Sequence, residues 1–335
     1  MKIAIVGCGA LGSYYGACLA RADCDVHFLM RSDLEIARRD GIRILSEAGD
    51  FTIHPRCFSR PEELGVCDLV IIGLKTTAND QFPKLLPPLV HSHTALITLQ
   101  NGLGNEECLA ASFPSGQILG GLCFVCLNRV SPAVIQHIAF GKIVLGEFSG
   151  PPKSRTHQIA SLFSDAGVPS EVVPDLRRAH WEKLIWNIPF NGLGVAGVAG
   201  LAALESAGES LPETLGEVLA TDQLLADSRW EKIVRELMLE IIAAANAQGL
   251  NVDPSLGERQ IERTRKMGGY KASTLIDFKR GLSLELESMF REPLRQARAA
   301  GVDMPWLARL CGLLAALEMR QGLIANRVTP YPSPK

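Results

Sequence analysis

Lys183, Asn187 and Asn191 fall at i, i+4 and i+8 in the stretch His180-Trp-Glu-Lys-Leu-Ile-Trp-Asn-Ile-Pro-Phe-Asn191, so on a helix an amine and two amides share one face. Trp181, Leu184, Ile185, Trp186, Ile188 and Phe190 surround them, which sets a polar row in apolar company. Buried amines and amides need partners, and a ligand with carbonyl, hydroxyl or carboxylate oxygens would supply them. An ammonium so placed can stabilise and protonate the alkoxide left when a ketone carbon receives a hydride. The alternative is structural: Lys183 reaches solvent along its stem while the asparagines cap or bridge helices. Pro189 has no amide proton for the carbonyl of Ile185, which predicts a kink within the row.

The second constellation is Gly7-Cys8-Gly9-Ala10-Leu11-Gly12, a G-x-G-x-x-G motif directly after the β-branched run Lys2-Ile-Ala-Ile-Val and opening a helical pattern from Ala10 to Arg21. Gly7 permits a tight turn, Gly9 lets backbone approach a pyrophosphate, and Gly12 lets helix pack on strand. The helix N-terminus then faces the phosphate charge. NAD-selective sites place a carboxylate at the end of the second strand, where this chain has Arg31. A guanidinium there would fork onto a 2′-phosphate, which favours NADP(H), although nearby Asp33 leaves NAD open. Lys75 and Asn101 end the next two apolar runs, Cys67 to Leu74 and Thr94 to Leu99. Either is explained by turn chemistry, but two polar residues at successive strand ends beside a cofactor crevice favour function.

The elements that must position these residues divide the chain. Apolar runs at 2–7, 25–30, 67–74 and 94–99 suit parallel strands covered on both faces. From Gln117 to Glu147 the runs crowd together, and Phe140-Gly-Lys reads as a hairpin turn, so the sheet is expected to finish with antiparallel edge strands. A helix over 155–166 and a strand over 170–173 complete the first domain. After Pro174 helical periodicity holds over about 176–204, 229–248, 255–266, 271–280, 284–300 and 304–320. Ala207 to Ser228 reads as a surface loop or short helix, and the tail Val328 to Lys335, with three prolines, as frayed. The fold class is therefore α/β, with an N-terminal Rossmann-type doubly wound sheet over 1–174 and an all-α domain over 175–330.

Composition narrows the partners. A net charge of -2 with no basic stripe argues against nucleic acid. Nine cysteines without framework spacing indicate free thiols and a cytoplasmic protein, and Cys123-x-x-Cys126 lies in an apolar run with no second pair to complete a metal site. Pro189, Asn191 and glycines interrupt the apolar stretch Ile188 to Leu204, so it reads as a buried helix and not a membrane span. Its small-residue run Gly192 to Ala203 could pack within the chain or in a homodimer.

Along nearly its whole length the chain resembles the ketopantoate reductase (2-dehydropantoate 2-reductase) family. The stretches that carry the resemblance are Lys2 to Gly12 with Arg31, Gly73-Leu-Lys75, Gln100-Asn-Gly-Leu-Gly104, Trp181-Glu-Lys183 through Asn191, and Tyr270-Lys-Ala-Ser273 through Glu287. The resemblance implies Lys183 as proton donor, Asn187 and Asn191 as substrate contacts, and Ser273 as the group that binds the substrate carboxylate. It also implies Glu285 and Asn101 near the nicotinamide and substrate, Arg31 and Lys75 on the phosphate side of the cofactor, and a backbone contact near Leu127. Leu201 stands where some members of the family carry a further asparagine. The expected activity is NADPH-dependent reduction of a small-molecule 2-oxo acid, ketopantoate to (R)-pantoate as in pantothenate biosynthesis. The alternatives are another 2-oxo acid of the same family, or an NADPH-sensing module without turnover.

Overall fold

The structure is a computed structural model that describes residues 1–328, with side chains through 322. The expected end of the second domain at 330, and all of the proline-rich tail beyond Val328, lie outside the described residues. The chain divides into two compact units, Met1–Ala179 and His180–Lys335.

The first unit is built on a ten-stranded sheet. Its strands are β1 (Lys2–Val6), β2 (Asp25–Leu29), β3 (Ile42–Ser46), β4 (Phe51–Ile53), β5 (Arg56–Phe58), β6 (Leu69–Ile72), β7 (Ala95–Thr98), β8 (Ile118–Ser131), β9 (Val134–Glu147) and β10 (Ser170–Val172). Spatial order is β4-β3-β9-β8-β7-β6-β1-β2-β5, with β10 against β9. From β5 across to β8 all neighbours run parallel, the doubly wound arrangement in which direction of travel reverses beside β1. β1, β6 and β7 are apolar on both faces because both are covered, and Ile3, Ile5, Ile71 and Ile97 belong to one core cluster while Val6, Val70, Ile72 and Leu96 belong to the other.

Antiparallel pairing appears where β9 meets β8 and where β4 meets β3. The hairpin turn is not at Phe140-Gly141, as the sequence suggests, but at Pro132-Ala133. β8 and β9 pair continuously from Leu119–Glu147 to Ser131–Val134, and positive φ at Phe140 and Gly141 accompanies a register shift between Phe124 and Val125. The local signal of left-handed residues was real, but pairing on both sides makes it a bulge.

Helix Leu176–Asn187 crosses the division between the units. Its first residue explains why the break falls after Ala179 rather than at Pro174: Leu176 packs with Leu122 and Val144, over Gly120 and Gly146, where a Cβ would strike it.

Among the described residues the second unit has helices joined by loops and no strand. The single helix expected to 204 is interrupted: Ile188–Leu193 is a π-helical turn, Gly194–Ala196 a short helix, and Gly200, at φ +82°, opens the separate helix Gly200–Glu205. Pro189 lies inside the π turn, whose wider loop accommodates its missing donor. A second π turn, Glu287–Arg291, ends just before Pro293 in the first turn of helix Glu292–Ala299. The small-residue run packs within the chain: Gly192 lies against Phe290 and Leu310, Gly194 against Leu275, and Gly197 against Leu219. Residues 207–228 are not a surface segment throughout, since Thr221–Ala226 is a short helix that buries Leu224 and Leu225.

Helix Ser228–Ala247 buries Trp230, Ile233, Val234, Leu237, Met238 and Ile241 at helical spacing. From it, Glu240 accepts the amide protons of Trp306 (2.8 Å) and Leu307 (3.0 Å) and caps the first turn of helix Pro305–Val328. Burial outweighs those bonds and pushes its carboxyl up from 4.5 to about 7. A folded value above the unfolded one means a contribution present in full below pH 4.5 and lost as pH rises through about 7. Glu240→Gln is therefore expected to remove on the order of 1 kcal/mol, after allowance for partial exposure, from the change in unfolding free energy that urea titrations show across that window. Equal slopes for wild type and variant would refute it.

Candidate functional site

In the first unit the expected cofactor residues, Leu127 apart, stand where parallel strands end. Gly7 follows β1, Arg31 lies past β2, Lys75 past β6 and Asn101 past β7. Because β2, β1, β6 and β7 are successive neighbours, these loops open side by side along one edge of the sheet, at the switch point beside β1 where such sheets take ligands. Leu127 is instead half-buried within β8, opposite His137 of β9.

The three glycines are there for different reasons. Gly7 has φ +97°, and a Cβ on it would collide with the backbone of Gly73 and Leu74; a Cβ on Gly12 would strike the carbonyl of Gly7. The protein's own packing requires both. Gly9 is exposed and extended, at φ -74° and ψ -162°, and a Cβ there would meet nothing within 4 Å. Nothing in the chain demands glycine at Gly9, whereas a ligand brought against this backbone would. Gly9 also caps the Ala10–Arg21 helix without a side-chain bond, which leaves first-turn amides to an anion. Ala10 and Leu11 are half-buried in that first turn. Cys8 donates its thiol proton to the carbonyl of Leu29 at 3.2 Å and so fastens the turn to β2. Burial, then the neighbouring Cys57 and Asp33, raises the Cys8 thiol well above the ordinary range, so it stays protonated. All nine cysteines are free, Cys123 and Cys126 lie buried in β8, and among the described residues no group of His, Cys, Asp and Glu could hold a metal.

Arg31 and Lys75 are exposed and Asn101 is half-buried. Asp33, 4% exposed, is fully engaged: Oδ2 accepts the amide proton of Ala133 at 2.9 Å, and Oδ1 accepts from Ser32 Oγ at 2.9 Å and from Arg129. The carboxylate that left NAD open is thus committed to the protein. Behind Asn101 runs a relay of neutral side chains. Thr98 Oγ1 donates to Gln100 Oε1 (2.8 Å), Gln100 Nε2 to Asn79 Oδ1 (2.7 Å), Asn79 Nδ2 to Asn105 Oδ1 (2.9 Å), and Asn105 Nδ2 to the carbonyl of Asn101 (3.1 Å). This relay ties the loop after β7 to the loop that begins at Lys75. Sequence reading missed Asn79 and Asn105, whose amides carry no signal until the loops are brought together, and quoted Gln100 without giving it a role.

In the second unit Asn187 and Asn191 are buried and Lys183 is half-buried. The π turn changes how the asparagines meet: Asn191 Nδ2 donates to the carbonyl of Asn187 at 2.9 Å. Asn191 Oδ1 accepts the Thr274 amide proton (3.0 Å) and, at 3.4 Å, the hydroxyl proton of Ser273, at the start of helix Ser273–Lys279. Asn187, Asn191 and Ser273 therefore form one cluster, with the exposed Ser273 at its outer end. Glu285 is half-buried ahead of the second π turn. Among the described residues no helix is long and apolar enough to cross a membrane.

The strand order and the glycine turn define a Rossmann-like NAD(P) fold followed in the chain by a helical unit. Comparison with known proteins narrows the class. The family described as "Ketopantoate reductase PanE/ApbA" matches residues 3–150, and its C-terminal counterpart matches residues 213–318. A 2-dehydropantoate 2-reductase of Nostoc sp. is 38% identical over 95% of this chain and 96% of its own. The crystal structure of 2-dehydropantoate 2-reductase from Geobacter metallireducens superposes with TM-score 0.85 at 43% identity, covering 96% of this chain and 100% of that one. At 18% identity a D-mandelate dehydrogenase, solved with NADH and anilino(oxo)acetate, shares the fold with TM-score 0.81 over 96% of this chain and 99% of its own. The chain belongs to the ketopantoate reductase family and is an oxidoreductase.

Proposed function

We propose that the protein reduces a 2-oxo acid with NADPH, ketopantoate to (R)-pantoate first among the candidates. The observation that carries this reading is Gly9, which the chain's own packing does not need and which leaves room for a dinucleotide at the N-terminus of a helix. The names of the relatives supply the substrate class. NADPH is favoured over NADH because Arg31 is exposed past β2 while Asp33, the competing acceptor for a ribose hydroxyl, is consumed internally.

NADPH, held by the glycine turn and Arg31, would supply the hydride for the C2 carbonyl. Lys183 then stabilises the developing alkoxide and delivers a proton to that oxygen. Ser273 turns its one hydroxyl proton from Asn191 Oδ1 to the substrate carboxylate. The Asn101 loop, fixed by its amide relay, and Glu285 serve the nicotinamide end, and Lys75 the phosphate side.

The test is the wild-type enzyme with a panel of 2-oxo acids and each nicotinamide nucleotide. Ketopantoate with NADPH is expected to give the highest kcat/KM. Preference for another oxo acid would replace the substrate, and absence of turnover across the panel would leave the sensing module as the reading to pursue.

A further inference from the structure

Arg129 lies far from Arg31 in sequence and is brought to the same place by the β8–β9 hairpin. Its Nη2 donates to Asp33 Oδ1, in the loop that Arg31 opens, while the hairpin tip adds the Ala133 amide to Asp33 Oδ2. The Ala133 carbonyl in turn accepts the Arg43 amide proton at 2.9 Å, so both sides of the tip are anchored. Asp33 is near enough to Cys8 of the glycine turn to act on its thiol, which puts this ion pair beside the expected dinucleotide.

Two features make Arg129 more than a counter-ion. Its side chain is 38% exposed although Asp33 is 5% exposed, so the guanidinium is gripped on one side and open on another. Its Nε is buried with no hydrogen-bond partner, so the contact with Asp33 leaves part of the donor capacity of the guanidinium unused. Charge points the same way: Arg31 and Asp33 alone cancel, and Arg129 restores one net positive charge to the loop. We propose that Arg129, oriented by Asp33, joins Arg31 in binding the 2′-phosphate of the dinucleotide and is a determinant of NADPH preference. The inference rests on the NADPH reading above and adds a residue to it that no motif supplies. In this account Asp33, in the region where NAD-selective sites carry their acid, serves the opposite preference by holding a cation for the phosphate.

The experiment is calorimetric binding of adenosine 2′,5′-bisphosphate and of 5′-AMP, probes that differ by the 2′-phosphate, to wild type, Arg129→Gln and Asp33→Asn/Arg129→Gln. The double variant avoids a buried unpaired carboxylate and keeps the loop's net charge, so it isolates the guanidinium contact from the general field. Wild type is expected to prefer the bisphosphate, and both variants are expected to lose about tenfold or more of that preference. A preference retained in the double variant, whatever the absolute affinities, overturns the role of Arg129 and leaves the NADPH reading standing. No preference in wild type overturns the NADPH reading itself, and the inference with it.

Discussion

Ketopantoate-driven NADPH oxidation is expected to fall by about 10²–10⁴-fold in Lys183→Ala, the range that a positioned general acid contributes. Lys183 is half-buried within helix Leu176–Asn187, and alanine is the better helix former, so the variant should fold and retain its nucleotide. Loss in kcat with KM little changed would mark an interaction made in the transition state, whereas a rise in KM alone would make Lys183 a binding residue. A variant that keeps more than about a tenth of wild-type kcat would remove Lys183 from the chemistry altogether.

The second large effect is expected at Gly9→Val. The backbone there is extended and a Cβ would have nothing within 4 Å, so the fold should stand, with only a modest fall in thermal stability from the poorer N-cap. Nucleotide affinity, by contrast, is expected to drop roughly tenfold to a hundredfold, the equivalent of about 1–3 kcal/mol of overpacking against the ligand. Comparing titrations of both nucleotides with melting curves separates the two effects. Unimpaired binding would mean that no phosphate approaches this turn.

Much of this was legible in the residues because it depends on local pattern. β1, β2, β6 and β7 are apolar runs ending in glycine or polar residues, and the helix Ser228–Ala247 declares itself by its buried spacing. β4 and β5 escaped notice, since strands as short as Phe51–Ile53 and Arg56–Phe58 are too brief for alternation to register, and β3, Ile42–Ser46, was passed over although Ile42 and Ile44 flank exposed Arg43. The hairpin was misplaced because Phe140 and Gly141 look the same locally in a turn or a bulge, and only the partner strand decides. In the site, the glycine turn and the Lys183–Asn191 row were readable from spacing. What Asn191 does with Thr274, or Asp33 with Arg129 and Ala133, depends on partners about eighty to a hundred residues away, and no window along the chain contains both ends.

The relay from Thr98 to the Asn101 carbonyl consists of a hydroxyl and amides, every link donating in the same sense. None of these groups ionises near neutrality. The scaffold beneath the Asn101 loop is thus indifferent to acidity, and it holds one shape while proton-exchanging side chains elsewhere change state. Any bell in the rate profile then belongs to the reacting groups rather than to the frame that carries this loop.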